Sequence, residues 1–374
     1  MIIHLRYNGR ILRCLTIAKN CMLISYIDCT LYKAAIDITH CYLIYCHSHS
    51  GNKLEGKKLL LNLVNHFSIV LFDSSGCGNS SGKYCTLGLD EAKDIPNIIK
   101  ALHYKFNANQ IYLWGRSIGA VAIMHTMYNV SVAKETIKDN DQRINKLIEQ
   151  YKHKGKDYAK YKRKIEKLQI EIEELVKLVK LESLIKGIIL DSPFPYAKTF
   201  VTNLLKSHLK ANTFTTSIIL LYMKNTLKLK IGKDIITDND PINIAEFINV
   251  PAIFLIGDND TLIERDSFID LFNTYNSDCK KLRLLLDSDH SSERCIEDID
   301  SIIKFLGDVQ NDILQPISNI DKDDNSGKLN DKKSQVTDQI SMDKNILVNN
   351  NKTTEPVDLR ILQSDNDPRY EYDK

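Results

Sequence analysis

The pentapeptide Gly115-Arg116-Ser117-Ile118-Gly119 restricts the fold more than any other feature of the sequence. It follows the apolar run Ile111–Trp114 and precedes Ala120–Met124, which can start a buried helix. The two glycines permit a turn that is too tight for side chains, and such a turn holds the central residue in a strained conformation. A strand, a tight turn and a helix in this order form a nucleophile elbow. The pattern therefore predicts that the hydroxyl of Ser117 projects at the edge of a sheet.

Short apolar runs recur on both sides of a charged middle region. Runs that are apolar throughout are typical of strands buried on both faces. These runs are Cys41–Cys46, Ser68–Phe72, Gln110–Trp114, Gly187–Leu190, Ala252–Ile256 and Leu282–Leu286. Between two of them, Leu89–Phe106 carries its apolar residues on one helical face. Alternating strands and helices predict an α/β fold with a mostly parallel sheet, preceded by first strands that are short or missing.

The sequence divides into four regions. Residues 1–129 and 187–306 carry the strand–helix pattern, and the highly charged residues 130–186 are inserted between them. Residues 307–374 are polar, and we expect this tail to be disordered because it cannot bury enough apolar surface.

The insertion has a coiled-coil-like heptad pattern. From Asp141 to Leu184 it predicts a helix of about 65 Å, which Gly155 could break into a hairpin. Either an exposed arm or a cap over the site is consistent with the pattern.

An elbow serine needs a histidine base and an acid, in the chain order Ser, Asp or Glu, His. The acid should follow a later strand, and Asp258 and Asp260 both follow Ala252–Ile256. We favour Asp260, because it lies a few residues beyond the glycine that ends the strand. His290 follows the next strand, in a polar loop before a helix predicted near Ser292, and is the expected base.

An oxyanion hole requires two backbone N–H groups directed at the developing negative charge. The N–H of Ile118, directly after the serine, is the expected first donor. The second should come from the loop after Cys41–Cys46, where His49 is favoured and Ser48 is the alternative. The weaker alternative for this loop is a metal site on His47 and His49, since two histidines alone rarely define one. We therefore expect no metal and no organic cofactor.

Composition excludes several classes of protein. The 50 Lys and Arg nearly balance the 48 Asp and Glu, so the net charge of +2 gives no general attraction to nucleic acid. The nine cysteines form no Cys-x-x-Cys pair, and their odd number favours a reducing compartment. Near the N-terminus, Cys14, Cys21 and Cys29 are either small core residues or lipidation sites.

The N-terminal region does not have the pattern of a membrane span. The stretch 11–31 is interrupted by Arg13, Lys19 and Asp28, and it lacks the layout of a signal peptide. We expect a cytoplasmic protein that is either free or peripheral on a membrane.

Several motifs resemble the α/β-hydrolase-domain serine hydrolases, in particular the branch of depalmitoylases and serine aminopeptidase-like enzymes. Phe72–Lys83 is similar to their glycine- and serine-rich loop, and Gly115–Gly119 to their elbow. Leu190–Phe194 resembles the segment after their sixth strand. The resemblance covers about residues 41–129 and 187–306, and it places the acid at Asp260 and the base at His290.

This sequence departs from the family pattern at two loops. The usual His-Gly pair of the oxyanion loop is His47-Ser48, and the usual Gly-x-Gly-His is Asp287-Ser288-Asp289-His290. The insertion 130–186 is a third departure.

The resemblance implies a serine hydrolase that cleaves an ester or thioester, with an acylated protein or a lipid as substrate. The alternative is an inactive hydrolase scaffold that binds a partner through its coiled insertion. The lysine-rich stretch 152–164 is either a solvated helix face or a contact with anionic lipid.

Overall fold

A mixed sheet runs through the computed structural model, which describes residues 2–7, 10–15, 26–34, 40–154, 158–210 and 212–311. In these residues the strand order is β2-β1-β3-β5-β4-β6-β7-β8-β9. The strands are β1 (Ile2–Tyr7), β2 (Arg10–Leu15), β3 (Tyr26–Tyr32), β4 (Cys41–Cys46), β5 (Ser68–Phe72), β6 (Gln110–Arg116), β7 (Ile185–Asp191), β8 (Ala252–Gly257) and β9 (Lys280–Leu285).

The strands from β4 to β9 are all parallel, whereas β3 runs antiparallel to β5. The carboxyl ends of six strands therefore meet at one edge of the sheet. Every residue of β4, β5 and β8 is buried, as expected for strands covered on both faces. The predicted α/β fold with a mostly parallel sheet is confirmed.

Helices cover both faces of this sheet. They are α1 (Leu60–Leu63), α2 (Asp94–Phe106), α3 (Ile118–Lys154), α4 (Tyr158–Glu182), α5 (Ala197–Leu209), α6 (Thr213–Ile231), α7 (Ile242–Ala245), α8 (Arg265–Thr274) and α9 (Ile296–Gln310). Two short 3₁₀ helices span Glu55–Leu59 and Glu91–Lys93. On one face, α1 and α9 pack on Tyr45, Trp114 and Leu255. On the opposite face, α3 crosses β4, β6 and β7.

The insertion is a helical hairpin made of α3 and α4. Lys134 of α3 lies 2.6 Å from Glu182 at the end of α4, so the two helices run antiparallel. Because α3 starts at the carboxyl end of β6 and α4 leads into the start of β7, the base of the hairpin lies at the opposite edge of the sheet. From residue 141 onward its described side chains are exposed or half-buried. Of the two alternatives, this geometry favours an exposed arm and not a cap that covers the site.

Several predicted boundaries differ from the observed ones. Strands β1–β3 are short but present, and Cys29 is fully buried in β3, which favours a core role over lipidation. The predicted helix 89–106 begins with a 3₁₀ turn at Glu91, because Asp90 and Glu91 bind the turn at Thr86.

Differences also occur at the later boundaries. The expected boundary between residues 129 and 130 falls inside α3, since this helix continues from the sheet into the arm without interruption. The predicted helix near Ser292 starts at Ile296, because Ser292 bonds instead within the histidine loop. Helix α9 continues to Gln310, four residues into the predicted tail, because its apolar face packs on the sheet. Gly155 and residues 312–374 lie outside the described residues.

Candidate active site

Ser117 lies in a strained turn between β6 and α3. Its φ is 51°, in the left-handed region that side chains other than glycine rarely adopt. Its N–H donates to the carbonyl of Asp191 at 2.7 Å. A Cβ at Gly115 would overlap the backbone of Gly119, and a Cβ at Gly119 would overlap the carbonyl of Cys46. The two glycines therefore permit the turn and let the start of α3 pack against the end of β4.

One chain of hydrogen bonds joins Ser117, His290 and Asp260. The Nε2 of His290 lies 2.9 Å from Oγ of Ser117, and its Nδ1 lies 2.8 Å from Oδ2 of Asp260. The Asp260 side chain is fully buried, and its Oδ1 accepts from the N–H groups of Leu262 and Ile263 at 2.9 and 3.0 Å. These bonds fix the carboxylate so that its second oxygen faces the imidazole. We call this arrangement the Ser-His-Asp chain.

Asp258, the alternative acid, has a different partner. Its Oδ1 accepts from the N–H of Ser288 at 3.1 Å. This bond ties the loop after β8 to the loop after β9, which carries His290. Asp258 therefore supports the histidine loop, and Asp260 is the carboxylate that contacts the His290 ring.

The expected oxyanion loop lies beside the elbow. Its residue Ser48 donates both its N–H and its hydroxyl to Oε2 of Glu55, at 3.0 and 2.8 Å. The N–H of Ser48 is thus engaged with Glu55, and both Ser48 and His49 line the same cavity as Ser117 and His290. Because the Ser48 N–H is bonded to Glu55, His49 stays the favoured candidate for the second donor, beside the N–H of Ile118.

His47 is a structural residue in this loop. It is fully buried, its Nδ1 lies 2.7 Å from the carbonyl of Ser48, and its Nε2 accepts from the N–H of Ser74 at 3.1 Å. Both ring nitrogens are therefore used within the protein. Over the described part of the chain, no group of three or more His, Cys, Asp or Glu side chains is arranged to hold a metal ion.

Arg116 joins the two loops that flank the serine. Its Nη2 donates to the carbonyls of His290 and Ser292, at 3.0 and 2.6 Å. Its Nε lies 3.9 Å from Glu55, which also holds Ser48. This residue is the variable position of the elbow motif, so the motif alone gave it no role. Its guanidinium holds the backbone of the histidine loop next to Ser117.

A buried ion pair lies beneath the elbow. Arg294 donates through Nε and Nη2 to both oxygens of Asp191, at 2.9 and 2.6 Å, and both side chains are at most 2% exposed. Burial alone would raise the pKa of Asp191, but the Arg294 guanidinium outweighs this effect and holds the pKa below its usual value. Arg294 also donates to the carbonyl of Ser292 at 3.0 Å. The pair thus links the elbow to the histidine loop.

The departure at residues 287–290 is accommodated by the backbone. Asp287 has a φ of 51° where the related pattern has glycine, and aspartate is among the residues that tolerate this region. The Asp289 carboxylate accepts from the N–H of Ser291 and the hydroxyl of Ser292, at 2.7 and 2.9 Å. These bonds lower the pKa of Asp289 and hold its carboxylate within its own loop.

The Ser-His-Asp chain opens into a cavity of about 720 Å³. One wall is polar and includes Ser48 and His49. The other is apolar and includes Phe200 and Leu204 from α5, together with Leu262. The volume is in the range of small-molecule sites, and an apolar wall suits an acyl chain.

A parallel sheet, a strained elbow serine after β6, and an acid and a histidine after β8 and β9 together define the α/β-hydrolase fold. No family model matches the sequence. An uncharacterized protein, R595 of Acanthamoeba polyphaga mimivirus, is 33% identical over 94 residues. This match covers 24% of the chain and 31% of the length of that relative.

Several solved structures are similar to the described fold. Pyrococcus furiosus esterase Pf2001 has a TM-score of 0.46 at 16% identity, with 75% of this chain and 86% of that chain covered. A monoacylglycerol lipase of Paleococcus ferrophilus has a TM-score of 0.46 at 15% identity, with coverage of 77% and 100%. Acetyl xylan esterase 1 of a Thermoanaerobacterium species has a TM-score of 0.48 at 14% identity, with coverage of 76% and 79%. At this level of similarity, activity has to be inferred from the site itself.

Proposed function

We propose that the protein is a serine hydrolase that cleaves carboxylic esters or thioesters. The observation that carries the proposal is the Ser-His-Asp chain at the floor of a cavity with one apolar wall. Residues of these three types at these distances can generate a nucleophile, transfer its proton and orient the base.

The first half-reaction transfers the acyl group to the protein. Oγ of Ser117 attacks the substrate carbonyl while Nε2 of His290 takes the hydroxyl proton. The N–H groups of Ile118 and His49 stabilise the tetrahedral oxyanion, at about 3 kcal/mol for each donor. When the intermediate collapses, the bond to the leaving oxygen or sulfur breaks, and His290 protonates that atom.

The second half-reaction releases the acid. A water molecule gives a proton to His290 and attacks the acyl-serine carbonyl. The bond to Oγ then breaks, and His290 returns the proton to Ser117. Throughout the cycle, Asp260 holds the imidazole in the tautomer with the proton on Nδ1. No step in this sequence requires a metal or an organic cofactor.

The cavity favours substrates with an apolar acyl group. Phe200 stands 6.0 Å from the His290 ring, between centroids, and Leu204 and Leu262 continue the same wall. Acylated proteins and lysophospholipid-like lipids both present such a chain next to a polar leaving group. An ester and a thioester differ at the leaving atom, which His290 can protonate in either case.

The experiment is a screen of acyl esters and acyl thioesters of increasing chain length, with the wild-type protein and Ser117→Ala compared. We expect hydrolysis that is lost in Ser117→Ala, with higher kcat/KM for longer apolar chains. Hydrolysis that survives in Ser117→Ala would contradict the proposal. Failure of the wild-type protein on every substrate, together with binding of a partner to residues 130–186, would favour the inactive scaffold.

A further inference from the structure

Helix α6 exposes a row of large apolar side chains. Phe214, Leu221 and Leu229 are 76%, 62% and 86% exposed, and Ile218 and Tyr222 are more than half exposed. The spacing i, i+4, i+7, i+8, i+15 places all five on one side of the helix. We call this row the α6 stripe. Exposed apolar patches of this kind mark interaction surfaces.

The opposite side of α6 already has a partner. This side carries Thr216, which is buried, and Leu220, Met223 and Leu227, which are half-buried. It packs against α5. Helix α6 is thus apolar on two sides and covered on one, which is the pattern of a helix that contacts a second apolar medium.

The segment that forms α5 and α6 carries charge of one sign. From residue 197 to residue 231 the chain holds no Asp or Glu and six lysines: Lys198, Lys206, Lys210, Lys224, Lys228 and Lys230. Lys224 pairs with Asp234, whereas Lys206, Lys210, Lys228 and Lys230 are exposed. An apolar face flanked by lysines is complementary to a surface that presents anionic groups above an apolar layer.

This charge pattern also argues against a second copy of the chain as the occupant. In a twofold dimer the same patch of each subunit meets its copy. Such a contact would bring the exposed lysines of two α5–α6 pairs together without a single carboxylate from this segment. The repulsion opposes a dimer, whereas anionic headgroups neutralise the same lysines.

The α6 stripe is continuous with the candidate active site through α5. Phe200, Leu204 and His208 of α5 line the cavity, and the next residue, Leu209, is 55% exposed. Four residues later α6 begins. The helix that forms the apolar wall of the cavity therefore leads directly to the exposed apolar face.

We propose that the α5–α6 pair docks on an anionic lipid surface, with the α6 stripe inserted among the acyl chains and the lysines at the headgroups. Docked in this way, α5 places the mouth of the cavity at the membrane, where an acyl chain can enter along its apolar wall. Docking itself requires no catalysis, but the delivery of a substrate rests on the proposed function. In the described residues no helix is long and apolar enough to cross a membrane.

The first experiment measures co-sedimentation with vesicles of phosphatidylcholine, with and without phosphatidylserine. The test variant is Phe214→Gln with Leu221→Gln, and Leu229→Gln is a second, single variant. The matched control is Tyr104→Gln with Ile170→Gln, one exposed aromatic and one exposed aliphatic residue outside the α5–α6 pair. We expect the test variant to lose affinity by about tenfold or more and the control by less than about twofold. Equal losses in both variants would overturn the proposal.

The second experiment tests the charges. Lys228→Gln with Lys230→Gln should weaken binding to phosphatidylserine vesicles by about fivefold per lysine and leave binding to pure phosphatidylcholine unchanged. Lys162→Gln with Lys164→Gln makes the same change on α4, in the lysine-rich stretch that is the competing membrane contact. If only the variant Lys162→Gln with Lys164→Gln loses binding, the membrane contact lies on the arm, and the proposal is overturned.

Two controls separate this proposal from its alternatives. All binding measurements are repeated with Ser117→Ala, which should bind vesicles as the wild-type protein does. If the wild-type protein binds vesicles but hydrolyses no substrate, the docking surface is supported and the proposed function is contradicted. Hydrolysis of a soluble short-chain ester should be unchanged in the α6 variants, since the stripe lies outside the cavity lining. Light scattering that shows a dimer, dissociated by Phe214→Gln with Leu221→Gln, would assign the stripe to a second copy and overturn the proposal.

Discussion

The two edges of the sheet differ in how their side chains are held. At the carboxyl edge, Ser117, His290 and Asp260 are fixed by short hydrogen bonds, and a buried ion pair supports them from below. At the amino edge, the arm formed by α3 and α4 presents mostly exposed, charged side chains. Its ion pairs, such as Lys162 with Glu166, are exposed to solvent. Exposed pairs contribute little to stability, whereas buried ones are costly to break.

This difference indicates a division of roles. Chemistry requires groups that are held within about half an ångström. The hydrogen bonds at the carboxyl edge hold Ser117, His290 and Asp260 in a fixed arrangement. We expect that the arm can vary without disturbing that edge, because most of the buried residues of α3 lie in its first 16 residues, up to Ala133. Substitutions at the two edges should therefore have very different effects.

The largest effect is expected in the Ser-His-Asp chain. Asp260→Asn should lower kcat by about 10⁴-fold, because the amide cannot hold the required tautomer of His290. His290→Gln should have an effect at least as large, since it removes the base. Steady-state kinetics on a soluble ester give the measurement, and circular dichroism shows whether the fold is retained. Asp258→Asn is the matched control. If it lowers kcat as much as Asp260→Asn does, the assignment of the acid to Asp260 is wrong.

The next effect concerns stability. Arg294→Met should lower the free energy of unfolding by about 3–5 kcal/mol at neutral pH, because it leaves Asp191 buried without its partner. Since the folded pKa of Asp191 is lowered, its pair contributes stability above the unfolded pKa of about 4 and loses it as the pH falls through the folded pKa. Urea denaturation at several pH values should therefore show that the stability deficit of the variant narrows as the pH falls below about 4.

Two results would contradict this account of the ion pair. One is a deficit that stays constant with pH, which would mean that lost packing dominates. The other is an equal loss in Lys58→Met, which removes only the exposed pair with Glu293.

A smaller effect is expected at Arg116, which positions His290 through its backbone. Arg116→Met should lower kcat by about 10²-fold, with little change in KM, because the histidine loop loses two donated hydrogen bonds. Arg116→Lys should recover part of the loss, since an ammonium can replace one of these bonds. A change in KM alone would indicate that Arg116 binds substrate and does not position the base.

The smallest effect is expected in the arm. Removing residues 146–170 and joining α3 to α4 by a short glycine–serine loop should change kcat/KM for a soluble ester by less than about threefold. The join is feasible because Lys134 and Glu182 already bring the helices together. A decrease in kcat/KM as large as that of Arg116→Met would contradict the distinction between the two edges.

The sequence predicted the parts of the site that depend on local patterns. Ser117 was identified from its glycines and flanking apolar runs, and Asp260 and His290 from their places after strands. The exact bounds of β4 and β5 also followed from runs that are apolar throughout.

Contacts between residues that are far apart in the sequence could not be predicted from local patterns. Arg294 and Asp191 are 103 residues apart, and Arg116 and His290 are 174 apart. No local pattern marks such pairs, because an arginine in a loop is usually exposed. The α6 stripe was missed for another reason. Its helix is apolar on two sides, so its sequence lacks the one-sided periodicity of a surface helix.

The central claim is that Ser117 is the nucleophile, and labelling with a fluorophosphonate tests it most directly. The reagent phosphonylates an activated serine, and trypsin cuts after Arg116 to release the peptide Ser117–Lys134. Tandem mass spectrometry can then distinguish an adduct on Ser117 from one on Ser131. We predict a single adduct on Ser117 that disappears in Ser117→Ala and is strongly slowed in His290→Gln. An unlabelled wild-type protein, or an adduct at another residue that persists in Ser117→Ala, would contradict the claim.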